Sequence, residues 1–260
     1  MVYDTLIQTM GITPGDRIWL SSDLIPYILS CKKKQENFDP SELLTSLQHA
    51  VGENGTILIP TFNFDFSNKQ FYDYRNTKGT SGILGNIALE RKGFTRTLHP
   101  LHSFAVWGKD AKKLTSMDNK HSFGTDSPFG YCYNNHVKQI ILGTDYVHAM
   151  TFIHYAEFIC KVPYRVPKSF NGTYVDAEGN AQTRSYDYAA RKLEFEPEEQ
   201  FNRMGLILEE NQVSSKVIIN GIENYIIDLT SSFSFICNDI NNNMCRNIYD
   251  FNIPREKIFI

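Results

Sequence analysis

The chain has 260 residues, 42% of them apolar and 21% charged, so it can bury a sizeable core and reads as one large domain or one domain with an added subdomain. A net charge of −3 provides no basic field for nucleic acid or an anionic membrane. No run approaches the ~18 apolar residues of a membrane span, and the first residues lack the charged start and apolar stretch of a signal peptide. Five cysteines, an odd number with no C-x-x-C pair, point to reduced structural thiols and a cytoplasmic setting.

In chain order, "DRIWLSSDL" reads as a strand over 17–21 after the turn "TPGD", and Lys32–Lys33–Lys34 as a solvated loop. "FDPSELLTSLQHAVG" predicts a helix. Asp39 is its N-cap, Pro40 its first residue, Glu42 the partner in a capping box, and Leu43, Leu44 and Leu47 its apolar stripe. "GTILIPTF" predicts a strand buried on both faces, so strand–helix–strand makes a parallel βαβ unit. The aromatic stretch "NFDFSNKQFYDYRNTKGTSG" is too long for a plain connection and too aromatic for disorder. A helix follows in "SGILGNIALERKG", then strands in "SFAVWG" and "VKQIILG" and a helix over 152–161. Residues 163–192 read as a β-hairpin turning at "AEGN". "EPEEQFNRMGLILEENQ" then reads as a helix, "SSKVIINGIENYIIDL" as two strands, and a last helix lies near 230–240. The fold class is α/β: a mixed, largely parallel sheet flanked by helices, with a hairpin and helix subdomain in the C-terminal half. One domain spans 1–260, with 163–230 its expected substrate-recognition region.

Chemistry in such folds sits beyond the carboxyl ends of strands. Four polar segments follow predicted strands there: "SSD" at 21–23, the loop after Phe62, "HSFGTDSP" at 121–128, and "TDYVHAMTFIH" at 144–154. His154 and Glu157, three residues apart on one helix face, can be a general base and its partner, with Thr151 capping the helix. By spacing alone they are more often ordinary helix residues. His99 and His102 in "HPLHSF" share that spacing, but no third ligand accompanies them, so a structural role is expected ahead of a metal. "GTSGILG" before a helix can hold a phosphate or oxyanion, without the lysine of a P-loop. "HSFGTDSPFG" reads as a tight exposed turn, and no G-x-S-x-G elbow appears.

Taken together and in order, "GDRIWLSSDL", "GTSGILG", "HPLHSF", "FGTDSPFG", "IILGTDY" and "TFIHYAE" resemble the aminoglycoside 3-N-acetyltransferase family, from about residue 10 to 160 and more loosely to about 230. The resemblance implies transfer of an acetyl group from acetyl-CoA to an amine of an aminosugar, without a metal. It makes His154 the base, Glu157 its positioning partner or a contact to the cationic substrate, and Thr151 a neighbour of the thioester carbonyl. It places Ser21, Ser22 and Asp23 along the pantetheine channel, and Gly82, His99, Ser103, Phe123 and Gly124 around the coenzyme pocket. The family's His-x-Ser after the first strand is replaced by Ser21 and Asp23, and its usual serine and glutamate near the glycine-rich loop by Gly79 and Asn86. These departures hint at a different acyl donor or acceptor. Asp187, Glu194 and Glu196 are candidates to attract a cationic amine. Two alternatives stay open: a nucleotide-linked amino sugar of surface polysaccharide synthesis as acceptor, or a non-catalytic binding protein.

Overall fold

The computed structural model describes residues 2–259; Met1 and Ile260, the ends of the expected 1–260 domain, lie outside the described residues. Helix α1 (Val2–Thr9) precedes strand β1 (Arg17–Ser22), helices α2 (Ile25–Lys33) and α3 (Pro40–Val51), and strand β2 (Thr56–Pro60). Helix α2 was not legible, and Lys32 and Lys33 form its last turn rather than a loop, where they complement the helix dipole. Asp39 caps α3 by accepting from Ser41 N at 2.8 Å. Its own N–H donates to the Tyr3 hydroxyl at 2.7 Å, so α1 supplies the partner expected from Glu42.

The aromatic stretch holds a short helix α4 (Asp65–Lys69) and strand β3 (Phe71–Asp73), followed by α5 (Leu84–Leu89). Strands β4 (Thr95–Arg96) and β5 (Phe104–Gly108), helices α6 (Ala111–Thr115) and α7 (Pro128–Asn134), strand β6 (Lys138–Leu142), and helices α8 (Tyr146–Ala149) and α9 (Ile153–Cys160) come next. The segment 121–128 does turn, with Thr125 and Asp126 exposed and Ser127 N donating to Gly124 O at 3.0 Å, but the residues flanking that exposed pair are buried and it leads into a helix. Ser127 caps α7 by accepting from Phe129 N and Gly130 N, and Phe123 and Pro128 are buried. The hairpin is β7 (Arg165–Val175) and β8 (Ala181–Arg191). Strand β9 (Glu198–Glu199), helix α10 (Phe201–Glu210), strands β10 (Ser214–Ile219) and β11 (Ile222–Asp228), helix α11 (Leu229–Asn243) and strand β12 (Tyr249–Asp250) complete the chain. Asn220 and Gly221, at φ 53° and 77°, make the turn between β10 and β11, where both central residues need positive φ.

Seven strands form the main sheet in the order β10-β11-β6-β1-β2-β5-β4. Strand β1 pairs parallel with both β2 and β6, and the outer pairs are antiparallel. The sheet is therefore mixed, with most strands pointing one way. Successive side chains of β1 alternate between faces, as the pleat requires. Ile18 and Leu20 join a core with α1, α3 and α5, whereas Trp19 joins the larger core with α7, α9 and α11. The hairpin and β3 form a second sheet in the order β3-β7-β8. Phe66, Tyr72, Tyr174 and Tyr186 pack beneath it, which is where the aromatic residues of the long stretch are buried. Within 163–230, the hairpin belongs to this small sheet while β10 and β11 extend the main one. All five cysteines are free thiols. Among the described residues no helix is long and apolar enough to cross a membrane.

Candidate active site

Strands β1, β2 and β6 run in parallel, so their carboxyl ends open on one edge of the sheet. A cleft of about 370 Å³ lies there. Ser21, Ser22 and Asp23 form one wall, with Gly82 and Phe62 beside them and Thr144, His148 and Thr151 opposite. Local bonds fix each wall. The Gln139 amide donates to Ser21 Oγ at 3.1 Å and to Ala149 O at 2.8 Å, tying β1 to α8. Asp23 Oδ1 accepts from Ile25 N at 2.9 Å, and Asp23 N donates to Leu142 O at 2.9 Å. Gly82 sits at φ +92°, where an added Cβ would lie 3.2 Å from Ser22 O.

Gly79 and Asn86, the two departures near the glycine-rich loop, belong together. Asn86 accepts from Gly79 N at 2.8 Å and donates to Gly79 O at 2.9 Å. A Cβ at position 79 would come within 2.7 Å of Thr61 Cα. An amide that both accepts and donates thus clamps a loop too close to β2's end for a side chain.

Helix α9 carries His154 and Glu157 one turn apart, and their side chains are 12% and 0% exposed. His154 Nδ1 lies 2.6 Å from Glu157 Oε2. A contact that short between two acceptors needs a proton between them, which puts the proton on Nδ1 and leaves Nε2 bare. Tyr164 donates to Glu157 Oε1 at 2.8 Å. Arg165, from the start of β7, places Nε 2.9 Å from Glu157 Oε2. That N–H is not aligned with the carboxylate, so the contact acts through charge. Burial alone would push the Glu157 carboxyl up; Arg165 and His154 outweigh it and hold the group down at about 2. His154 is lowered by burial and by Arg165, with Glu157 opposing. Phe123 and Phe201 meet its ring edge-on at 5.6 Å and 5.9 Å. Thr151 does not cap α9 with its side chain: Phe152 holds the cap position, and Thr151 O accepts from His154 N at 3.0 Å while Thr151 lines the cleft.

His99, Ser103, Phe123 and Gly124, also expected around a coenzyme, do not line this cleft. All four are buried, and the polar side chains of His99 and Ser103 find internal partners. Ser103 Oγ donates to Thr61 O at 3.1 Å and meets Thr61 Oγ1 at 2.8 Å, bracing the end of β2. His102 Nδ1 lies 3.0 Å from Ser122 Oγ, and His99 Nδ1 accepts from Leu101 N at 3.2 Å. Burial pushes His99 down to about 3 and His102 well below the usual histidine range, so both are neutral. Among the described residues no group of three His, Cys, Asp or Glu side chains is placed to hold a metal. Asp187 is engaged by Ser169 of β7 and, at 3.8 Å, by Lys120 from the loop before α7, and Glu194 and Glu196 are exposed in the turn after β8.

Two residues of this geometry escaped the sequence. His148, on α8, lines the cleft with its Nδ1 2.5 Å from Asp145 Oδ1; the spacing Asp-x-x-His was its only signal. Arg165 had none, since tertiary packing alone brings it to Glu157.

The family model for aminoglycoside 3-N-acetyltransferase matches residues 33–238. The chain belongs to that family. Its reaction moves an acetyl group from acetyl-CoA to an amine. The chain is similar to the SPbeta prophage-derived aminoglycoside N(3')-acetyltransferase-like protein YokD of Bacillus subtilis (strain 168), 26% identical over 230 residues, or 79% of this chain and 81% of the relative. Two solved structures share the fold: AAC-VIa bound to sisomicin, with TM-score 0.78, 18% identity and coverage of 94% and 98% of the two chains; and AAC-IIIb with CoASH, with TM-score 0.76, 15% identity and coverage of 93% and 95%.

Proposed function

We propose that the chain transfers acetyl from acetyl-CoA directly to an amino group of an aminosugar, with His154 as general base. The observation that carries this is the 2.6 Å contact between His154 Nδ1 and the buried Glu157 carboxylate, one turn beyond Thr151 in the cleft wall. A buried carboxylate holding Nδ1–H fixes the tautomer whose Nε2 can accept a proton. In this reading the coenzyme arm runs between Ser21–Asp23 and Gly82, with the thioester near Thr151. The acceptor nitrogen bonds to the thioester carbon while Nε2 takes its proton. The C–S bond breaks, and the imidazolium returns that proton to the departing thiolate. The products are the N-acetyl sugar and coenzyme A. The hairpin and α10 side supplies the acceptor wall, and Asp187, Glu194 and Glu196 are its candidate contacts to an amine.

The test is thiol release from acetyl-CoA with two panels, aminoglycosides and nucleotide-linked amino sugars. His154→Ala should lower the rate about 10²–10⁴-fold while the protein stays folded. Unchanged release in that variant overturns the base. Calorimetric binding of the sugars without any release supports a non-catalytic binding protein instead.

A further inference from the structure

His154 Nδ1 has two charged neighbours. Glu157 Oε2 lies at 2.6 Å and Arg165 Nη2 at 3.0 Å. One nitrogen cannot donate to the first and accept from the second at once. With the proton directed at Glu157, the guanidinium is a cation pressed against an N–H. That arrangement persists only because Arg165 is fixed elsewhere. Its side chain is 3% exposed; Nη1 donates to Ala189 O at 2.9 Å and Nη2 to the Tyr249 hydroxyl at 3.0 Å.

We propose that Arg165 is the positioning residue of this site: it locks the Glu157 carboxylate against His154 and, as a second cation beside Nδ1, opposes full protonation of the imidazole, so Nε2 stays bare toward the acceptor. The inference rests on the reading of His154 as base. A buried carboxylate facing a histidine alone stabilises the imidazolium, and a histidine already protonated cannot accept a proton. Pairing the carboxylate with a guanidinium keeps its orienting hydrogen bond and cancels most of its charge. The remaining charged or titratable groups around His154 do not substitute for this. Glu199 of β9 is held by Arg191, His102 before β5 is buried and neutral, and the Tyr249 hydroxyl of β12 accepts from Arg165 itself. Lysine cannot reproduce the arrangement, since one ammonium cannot reach Glu157, Tyr249, Ala189 O and the imidazole edge together.

The experiment titrates His154 directly by nitrogen NMR on histidine-labelled protein, with the signal assigned by its loss in His154→Ala. Wild-type protein should show the Nδ1–H tautomer and a midpoint below 6.5. Arg165→Gln should raise the midpoint by about 1 pH unit, Arg165→Lys should raise it less, and Glu157→Gln should lower it. Should Arg165→Gln fail to fold, the opposite displacements in Arg165→Lys and Glu157→Gln carry the test. Midpoints that do not move, or that move the same way in the Arg165 and Glu157 variants, overturn the role of Arg165. Full acetyl transfer by His154→Ala overturns the base instead and leaves the titration result standing.

Discussion

"HPLHSF" and "TFIHYAE" offer the same pattern, a histidine and a second polar group three residues on, and the fold buries both. Their surroundings then diverge. His102 is packed by the rings of Phe62, Phe64, Phe123, Phe129 and Tyr188, with Ser122 as its polar partner. His154 touches Phe123 and Phe201 but also a carboxylate and a guanidinium. Burial among rings removes a histidine from proton chemistry across the ordinary pH range. The same burial beside an ion pair also lowers His154, but Glu157 orients its Nδ1 through a 2.6 Å hydrogen bond. Spacing in sequence cannot distinguish the two; the charge on the neighbouring strand does.

The comparison breaks most sharply at Glu157. Glu157→Ala leaves the Arg165 guanidinium buried without its anion and should cost about 3–5 kcal/mol in urea unfolding. The next effect is on pH. Glu157 is held at about 2, below its ordinary 4.5, so its contribution is present above 4.5 and lost as pH falls toward 2. His99 and His154 are also lowered from 6.5, His99 to about 3, so the unfolded chain takes up their protons first and stability falls with pH below 6.5. Each group contributes up to about 1.4 kcal/mol per pH unit inside its window. Thermal unfolding at pH 7, 5.5 and 4 should show a steady drop that steepens below 4.5. A midpoint unchanged from 7 to 4 would mean these groups are solvated.

Legibility followed the same divide between local and tertiary signals. The βαβ unit, the hairpin, helix α3 and the strands β5, β6, β10 and β11 were readable because caps, turns and apolar runs are local. Helix α7 carried a readable signal in Ser127–Pro128, an N-cap and a first-turn proline, which the glycine-rich look of "HSFGTDSPFG" obscured. Helix α2 did not: Leu24 caps it without a side-chain bond, and Ile25, Ile28 and Leu29 are exposed, so it shows no clean apolar stripe. In the site, His154 and Glu157 were visible as a pair on one helix face. Arg165 was not, because it reaches Glu157 only once β7 has folded against α9. Ser103, placed around the coenzyme pocket by resemblance, is buried, does not line the cleft and braces Thr61.

The smallest expected effect sharpens the comparison from the other side. His102→Phe exchanges one ring for another of similar size in an aromatic surround. It removes a contact to Ser122 Oγ, which lies 3.4 Å from His99 Nε2 and so keeps a partner. The change should shift stability at pH 7 by no more than about 1.5 kcal/mol, as volume-conserving swaps do. It also deletes a group lowered far below 6.5, so the loss of stability on acidification should become shallower than in wild type. Acetyl transfer should persist, whereas His154→Phe should abolish it. If His102→Phe abolishes turnover while leaving unfolding unchanged, the two histidines are not divided as argued, and the ring cluster behind the cleft takes part in the chemistry.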